Sequence, residues 1–413
     1  MAGDEDTPRS DTLPRREYIR YGGVIVGGGL LAGCASDSGT DASGTETTTG
    51  SGSETDDGTG TTSDDETTTE SDGSYTVSME PVGDVEFESV PERWSNPGGP
   101  AYLDMAIALG KQDGLAATGF GLFPTVAFEA TGVPIDVDPD EVPVIWQDGG
   151  FDKEVFYEAD SDVHLADPNY LKAYGMSQGD IDEVAENVGP FFGAYSAREY
   201  DWNGDYMVSL YDLFDKVAAV FREEERGERF RQLHAEMMER IEKRLPSKAD
   251  RPTVGVLFVG SNPEKGSFQL LQLREHGFRQ MHYRDAGFDD AWGEMDIEAG
   301  DYPTVGYETL LEVDPDALIY DAHIPSKLES TELRGTDEWR QAYLESMREN
   351  GVGSQLTAVE NDAVYPGGPP QAGPLLNLFN TERTVKQVYP DEFGASEKLF
   401  DRQRVADIVE GEF

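Results

Sequence analysis

The sequence predicts an α/β protein built as two lobes with parallel-type sheets, joined by one long helix. Three observations carry this. Residues 154–167 (EVFYEADSDVHLAD) lie without a gap over residues 308–321 (ETLLEVDPDALIYD) and share five acidic positions: Glu154/Glu308, Glu158/Glu312, Asp160/Asp314, Asp162/Asp316 and Asp167/Asp321. With 82 acidic residues in 413, matching acids are cheap, and the apolar register counts for more: Phe156 over Leu310, Tyr157 over Leu311, Leu165 over Ile319. Each copy reads as a short amphipathic helix, an acidic turn and a buried strand, which is an α-to-β step present in both halves. Second, RPTVGVLFVG (251–260) is a β-branched run of the kind that fills a parallel sheet. Third, residues 228–245 place Phe230, Leu233, Met237, Ile241 and Leu245 at spacings of 3, 4, 4 and 4, one helical face that stops at Pro246.

In chain order, residues 1–34 read as an export signal. Arg15-Arg16 precede the run YGGVIVGGGLLAGC, which ends at Cys34, the single cysteine. That Gly-rich run is too short for a bilayer core needing about 20 residues. A charged head, a short apolar stretch and small residues before a boundary describe a cleaved signal. LAGC resembles the lipobox of secreted lipoproteins, which implies lipidation of Cys34, and the arginine pair resembles a twin-arginine signal. The same run imitates a dinucleotide-binding strand–turn–helix. The segment after Cys34, however, has no apolar face and supplies no second strand with a ribose-binding acid.

Residues 35–74 form an acidic tether: from 36 on they use only Ser, Asp, Gly, Thr, Ala and Glu, so nothing there can build a core. Such a chain has an r.m.s. reach of roughly 35 Å. The first lobe is expected over 75–208. It has a helix at YLDMAIALG and strands at LAATGF, DVHLADP and VGPFF. Connecting helices are expected over 209–246, and the second lobe over 247–413, with strands at VGVLF, ALIYD and AVYPGG.

A formal charge of −50 excludes nucleic acid as a general partner, because phosphates are repelled. Self-repulsion at this density strains a fold in dilute buffer, whereas in about 1 M salt the Debye length shrinks to ~3 Å. The acid-rich, lysine-poor composition reads as adaptation to high salt. One cysteine excludes an internal disulfide framework and a Cys-based zinc site. The sequence has no G-x-S-x-G, H-E-x-x-H or P-loop, so an enzyme finds no support.

Together, signal, tether, lobe, long helix and lobe resemble the substrate-binding lipoproteins of ABC importers. More narrowly, they resemble the iron-siderophore, haem and vitamin B12 binding group, in a haloarchaeal form. The resemblance runs over roughly 75–400 and is carried by VPERWSNPGGPAYLDMAIALG, DKEVFYEADSDVHLAD, YETLLEVDPDALIYD and LTAVENDAVYPGG. Three departures stand out: Ser161 lies where the second copy has Pro315, residues 120–150 form a longer segment than usual, and the second lobe carries an extra aromatic stretch around Tyr283–Trp292. The resemblance implies an extracytoplasmic, membrane-anchored protein without a cofactor, working with a permease dimer and a cytoplasmic ATPase. It also implies that Glu154 and Glu308 dock into arginine pockets on the two permease subunits. Its ligand is expected to be a ferric siderophore or similar metal chelate. Cobalamin or haem, a bare metal ion, a secreted hydrolase and a surface interaction lipoprotein stand behind it as alternatives.

Open α/β sheets bind ligands beyond the carboxyl ends of their strands, here between the lobes. The aromatic residues expected there are Trp94, Tyr102, Phe120, Phe123, Tyr170 and Phe258, with His323 after ALIYD. Flat rings suit a bulky chelate shell or a macrocycle. His164, in mid-strand, reads as a core residue.

Overall fold

The computed structural model describes residues 73–120, 125–273, 277–298, 301–321 and 336–413. The export signal with Cys34, nearly all of the tether, Phe123 and His323 lie outside the described residues.

The first lobe opens with an antiparallel hairpin, β1 (Tyr75–Met79) and β2 (Gly83–Phe87). β3 (Trp94–Asn96) leads into α1 (Pro100–Ala108), whose proline at the first turn needs no N–H partner. β4 (Leu115–Thr118) and α2 (Thr125–Thr131) precede the small hairpin β5 (Trp146–Gln147) and β6 (Gly150–Phe151). The first repeat copy supplies α3 (Lys153–Ala159) and β7 (Val163–Leu165). Then come α4 (Pro168–Ala173), α5 (Gln178–Asn187) and β8 (Phe191–Phe192). The sheet order is β4-β3-β7-β8, all parallel.

Two helices follow, α6 (Leu210–Val220) and the 19-residue α7 (Glu224–Glu242). α7 starts before the expected residue 228 and ends short of Pro246. Its buried face is Gly227, Phe230, Leu233, Met237 and Ile241, whereas Leu245, expected to extend that face, lies beyond the helix and is half-buried. In the second lobe, β9 (Thr253–Leu257) and β10 (Phe268–Gln269) precede α8 (Met281–Ala286) and β11 (Asp289–Asp290). After β12 (Thr304–Val305) the second repeat copy gives α9 (Tyr307–Val313) and β13 (Ala317–Tyr320). The chain closes with α10 (Thr336–Glu349), α11 (Thr357–Glu360), β14 (Val364–Pro366), α12 (Pro374–Val388) and α13 (Arg402–Glu410). The second sheet runs β11-β9-β13-β14, again all parallel.

Both sheets therefore have the same order, with the second strand outside the first and the third and fourth on its other side. The order reverses between β3 and β7 and between β9 and β13, the switch points where open α/β sheets leave a crevice. Among the described residues no helix is long and apolar enough to cross a membrane.

α12 ties the lobes together. Every residue from Pro374 to Val385 is buried, because the helix packs on α1 and α2 of the first lobe and on α8 of the second. Its first turn is capped from the other lobe: the Asp104 carboxylate on α1 accepts from the N–H groups of Leu375 (2.9 Å) and Leu376 (2.8 Å). Burial pushes Asp104 up to about 7, although these N–H groups pull it down. Further along α12, Glu382 takes both ends of the Arg402 guanidinium at 2.7 Å.

Candidate functional site: the cleft between the lobes

Asp167, at the end of β7, organises the first-lobe wall. Its carboxylate caps α4 through Asn169 N–H (2.7 Å), and accepts from Tyr195 N–H and the Tyr206 hydroxyl (2.9 Å each). Burial raises its pKa while the donated N–H groups lower it, with a net rise. The outcome is that Tyr170 on α4 stacks on Tyr195, centroids 4.7 Å apart and planes 9° from parallel. Around this pair Phe120, Trp146, Phe151 and Tyr174 meet mostly edge to face, at 5.2–6.4 Å, the arrangement that ring quadrupoles favour. Trp146 and Phe151 come from the β5–β6 hairpin, so the long 120–150 segment supplies part of the wall. A pocket of about 470 Å³ opens beside it, lined by Gln147, Phe151, Lys153 and Tyr174 among others.

The loop after β8 adds a cation. Asn203 pins it by donating to Tyr195 O (2.6 Å) and Arg198 O (2.8 Å) and accepting from Tyr200 N–H (2.6 Å). Arg198 lies over the ring of Tyr302 from the second lobe at 4.4 Å and over Tyr200 at 5.3 Å. Across the cleft, Arg279 donates to Asp321 at 2.8 Å and lies 5.3 Å over Phe258, which stacks on Tyr302 at 4.2 Å. Burial opposes the Arg279 charge, but the Asp321 carboxylate outweighs it and holds the pKa above its usual value. The Tyr283 hydroxyl donates to the other Asp321 oxygen at 3.1 Å.

The lobes meet through backbone as well. Phe278 N–H donates to Ser196 O (3.1 Å) and Arg279 N–H to Ala197 O (2.9 Å), while Gln371 reaches the Tyr195 hydroxyl at 3.3 Å. Gly277, at φ +109°, permits this approach: a Cβ there would fall 2.5 Å from Ala197 O.

Of the residues expected to touch ligand, the structure brings Phe120, Tyr170 and Phe258 to the cleft. Trp94 and Tyr102 are corrected to core positions. Trp94 is fully buried at the head of β3, away from the strand's carboxyl end, and its indole N–H donates to Lys111 O (2.7 Å). Tyr102 is buried beneath the loops and donates to Ala194 O (2.9 Å). His164 is buried against Ser95 (2.7 Å), with burial pushing it down to about 3. Glu154 and Glu308 are both exposed in the first turns of α3 and α9. Sequence reasoning missed Arg198, Arg279, Trp146 and Tyr195. A signal existed for Arg198, a basic residue shortly after the predicted strand VGPFF in a chain with only 32 Lys and Arg.

Two parallel-sheet lobes of one topology, closing on a shared crevice lined by rings and guanidinium groups, define a ligand-capturing protein. Residues 99–370 match the profile of the family described as periplasmic binding protein, and the chain belongs to that family. As a member of that family it is an extracytoplasmic solute-binding protein rather than an enzyme. No curated protein matches the chain significantly. Several solved structures share its fold. Helicobacter pylori CeuE with Ni(II) bound has a TM-score of 0.54 at 12% identity, covering 81% of this chain and 98% of its own. A periplasmic binding protein from Veillonella parvula has a TM-score of 0.53 at 15% identity, covering 77% and 98%. PiuA, an iron uptake ABC transporter substrate-binding protein from Streptococcus pneumoniae, has 0.50 at 16%, covering 76% and 97%.

Proposed function

We propose that the protein captures a ferric siderophore or a similar metal chelate and delivers it to the permease of an ABC importer. The observation that carries this is the pairing of Arg198 and Arg279 across a cleft walled by Tyr170, Tyr195, Phe120 and Phe258. A guanidinium group on an aromatic face is a weakly hydrated, delocalised cation, suited to the flat and polarisable shell of an anionic chelate. In a chain of net charge −50, Arg198, beside the Arg279–Asp321 pair, also counters the general repulsion of anions. PiuA is an iron uptake protein, which supports iron as the cargo.

Delivery, in this reading, uses Glu154 and Glu308 against the two permease subunits, with lipidated Cys34 as the anchor and residues 35–74 as the tether. The acidic surface suits the protein to molar salt.

The test is titration with ferric chelates of different charge, followed by quenching of tryptophan fluorescence. An anionic ferric catecholate is expected to bind at least tenfold more tightly than a neutral ferric hydroxamate, and Arg198→Gln to erase most of that difference. Tight binding of haem or cobalamin, with no response to either iron chelate, would replace this reading.

A further inference from the structure

Between α8 and α12 the fold buries positive charge without a counter-charge among the described residues. Arg383 on α12 is only 9% exposed. One guanidinium nitrogen donates to Gly367 O at 2.6 Å, but Nε and Nη2 meet no partner among the described residues. Burial pulls its pKa down to about 10, which still leaves it charged at any ordinary pH. Two nearby carboxylates that could neutralise it are engaged: Asp321 by Arg279 and Tyr283, Glu382 by Arg402 and Lys386.

His282 completes the anomaly. It is 1% exposed and neither ring nitrogen is bonded within the described residues, although a neutral imidazole always carries one N–H to be satisfied. Burial first, then the charges of Arg284, Arg279 and Arg383, push it down to about 4, against Asp321 alone pulling up. Tyr283 links the two residues. Its ring lies 3.9 Å from that of His282, and its hydroxyl reaches within 2.7 Å of where a Cβ of Gly367, the Arg383 partner, would stand. Gln280, at the head of α8, is also buried with both ends of its amide unpartnered among the described residues.

Folded proteins pair nearly all buried polar groups, and a buried cation needs a negative partner. Water satisfies N–H groups but leaves the charge. We propose that a small monovalent anion of halide size occupies the α8–α12 interface, held by Arg383 and the N–H of His282. Neither Arg383 nor His282 is among the residues that line the cleft, so the site is separate from ligand capture.

Bromide is the probe. Crystals of the protein grown in bromide are expected to show an anomalous peak between Arg383 and His282. At fixed potassium and ionic strength, replacing gluconate, too large to enter, by bromide is expected to raise the melting temperature in a saturable way. Arg383→Met should lose that increment. Should this variant fail to fold, His282→Phe keeps the ring volume and is expected to move the bromide midpoint to higher concentration. Water alone at the position, an equal increment in Arg383→Met, or an unmoved midpoint in His282→Phe overturns the proposal.

Discussion

Asp162 and Asp316 make the same connection in the two lobes. Each carboxylate accepts from the backbone N–H at the head of the first strand of its own sheet, Arg93 N–H and Thr253 N–H, both at 2.8 Å. The correspondence extends along the repeat. Asp160 and Asp314 end α3 and α9 in left-handed geometry, φ 47° in both, with N–H groups returning to the paired positions Phe156 and Leu310. Asp167 and Asp321 stand buried beyond β7 and β13. The matched acids thus set helix ends, strand heads and cleft walls.

The paired C-caps separate backbone strain from side-chain bonding. A left-handed non-glycine residue costs roughly 1–2 kcal/mol. Asp160 has no side-chain bond among the described residues, whereas Asp314 accepts from Thr357 N–H and the Thr357 hydroxyl, both at 2.8 Å. Asp160→Gly is therefore expected to raise stability by up to about 1 kcal/mol, and Asp314→Gly to lower it by a similar amount. Denaturant midpoints for the two variants check this; equal shifts would contradict it.

Glu154 and Glu308 are exposed in the first turns of α3 and α9. Under the proposed docking role, changing either to Ala is expected to leave chelate affinity within about threefold while cutting uptake, the lost contact with a permease arginine costing roughly 2–5 kcal/mol. Binding by fluorescence beside uptake in cells distinguishes the outcomes. Normal uptake in the double variant would remove the docking role.

Asp104 predicts a pH dependence of stability. Its folded pKa, about 7, lies above the ordinary aspartate value of 3.8, so between these values the folded state holds a proton that the unfolded state has lost. This contribution is complete below about pH 4, falls as pH rises through 7, and is flat beyond. Asp104→Asn is expected to flatten that part of the melting-temperature profile; an unchanged profile would place the proton elsewhere.

Gly277→Ala is expected to push the Ala197 carbonyl away and break the backbone bonds from Phe278 and Arg279. Solution scattering should then show a larger radius of gyration, and chelate binding should weaken. Unchanged dimensions and affinity would mean that the clasp is dispensable.

Much of the architecture was legible because strands and helices obey local periodicity. Leu318 and Ile319 sit in a fully buried strand, as a run without polar alternation requires. The site was less legible because burial of an aromatic residue depends on contacts distant in sequence. Trp94 looked like a cleft residue beside SNPGGP, yet β3 carries it into the sheet between β4 and β7. Arg279 gains its role only through Asp321, 42 positions along the chain. Periodicity also gives no sign that Pro374–Val385 of α12 is buried throughout, since polar residues such as Asn377, Asn380 and Thr381 are buried with the apolar ones.

The Asp104 cap on α12 gives the chain an order of completion. The first lobe is threaded early in synthesis, but the helix that its α1 must cap arrives 271 residues later. Until then a buried carboxylate faces no donors, and the surfaces of α1 and α2 that α12 covers remain open to water. The lobes are consequently not two beads that ripen one after the other on the ribosome. The amino-terminal half stays unfinished until α12 is made, and cutting the chain after β14 would leave both halves incomplete.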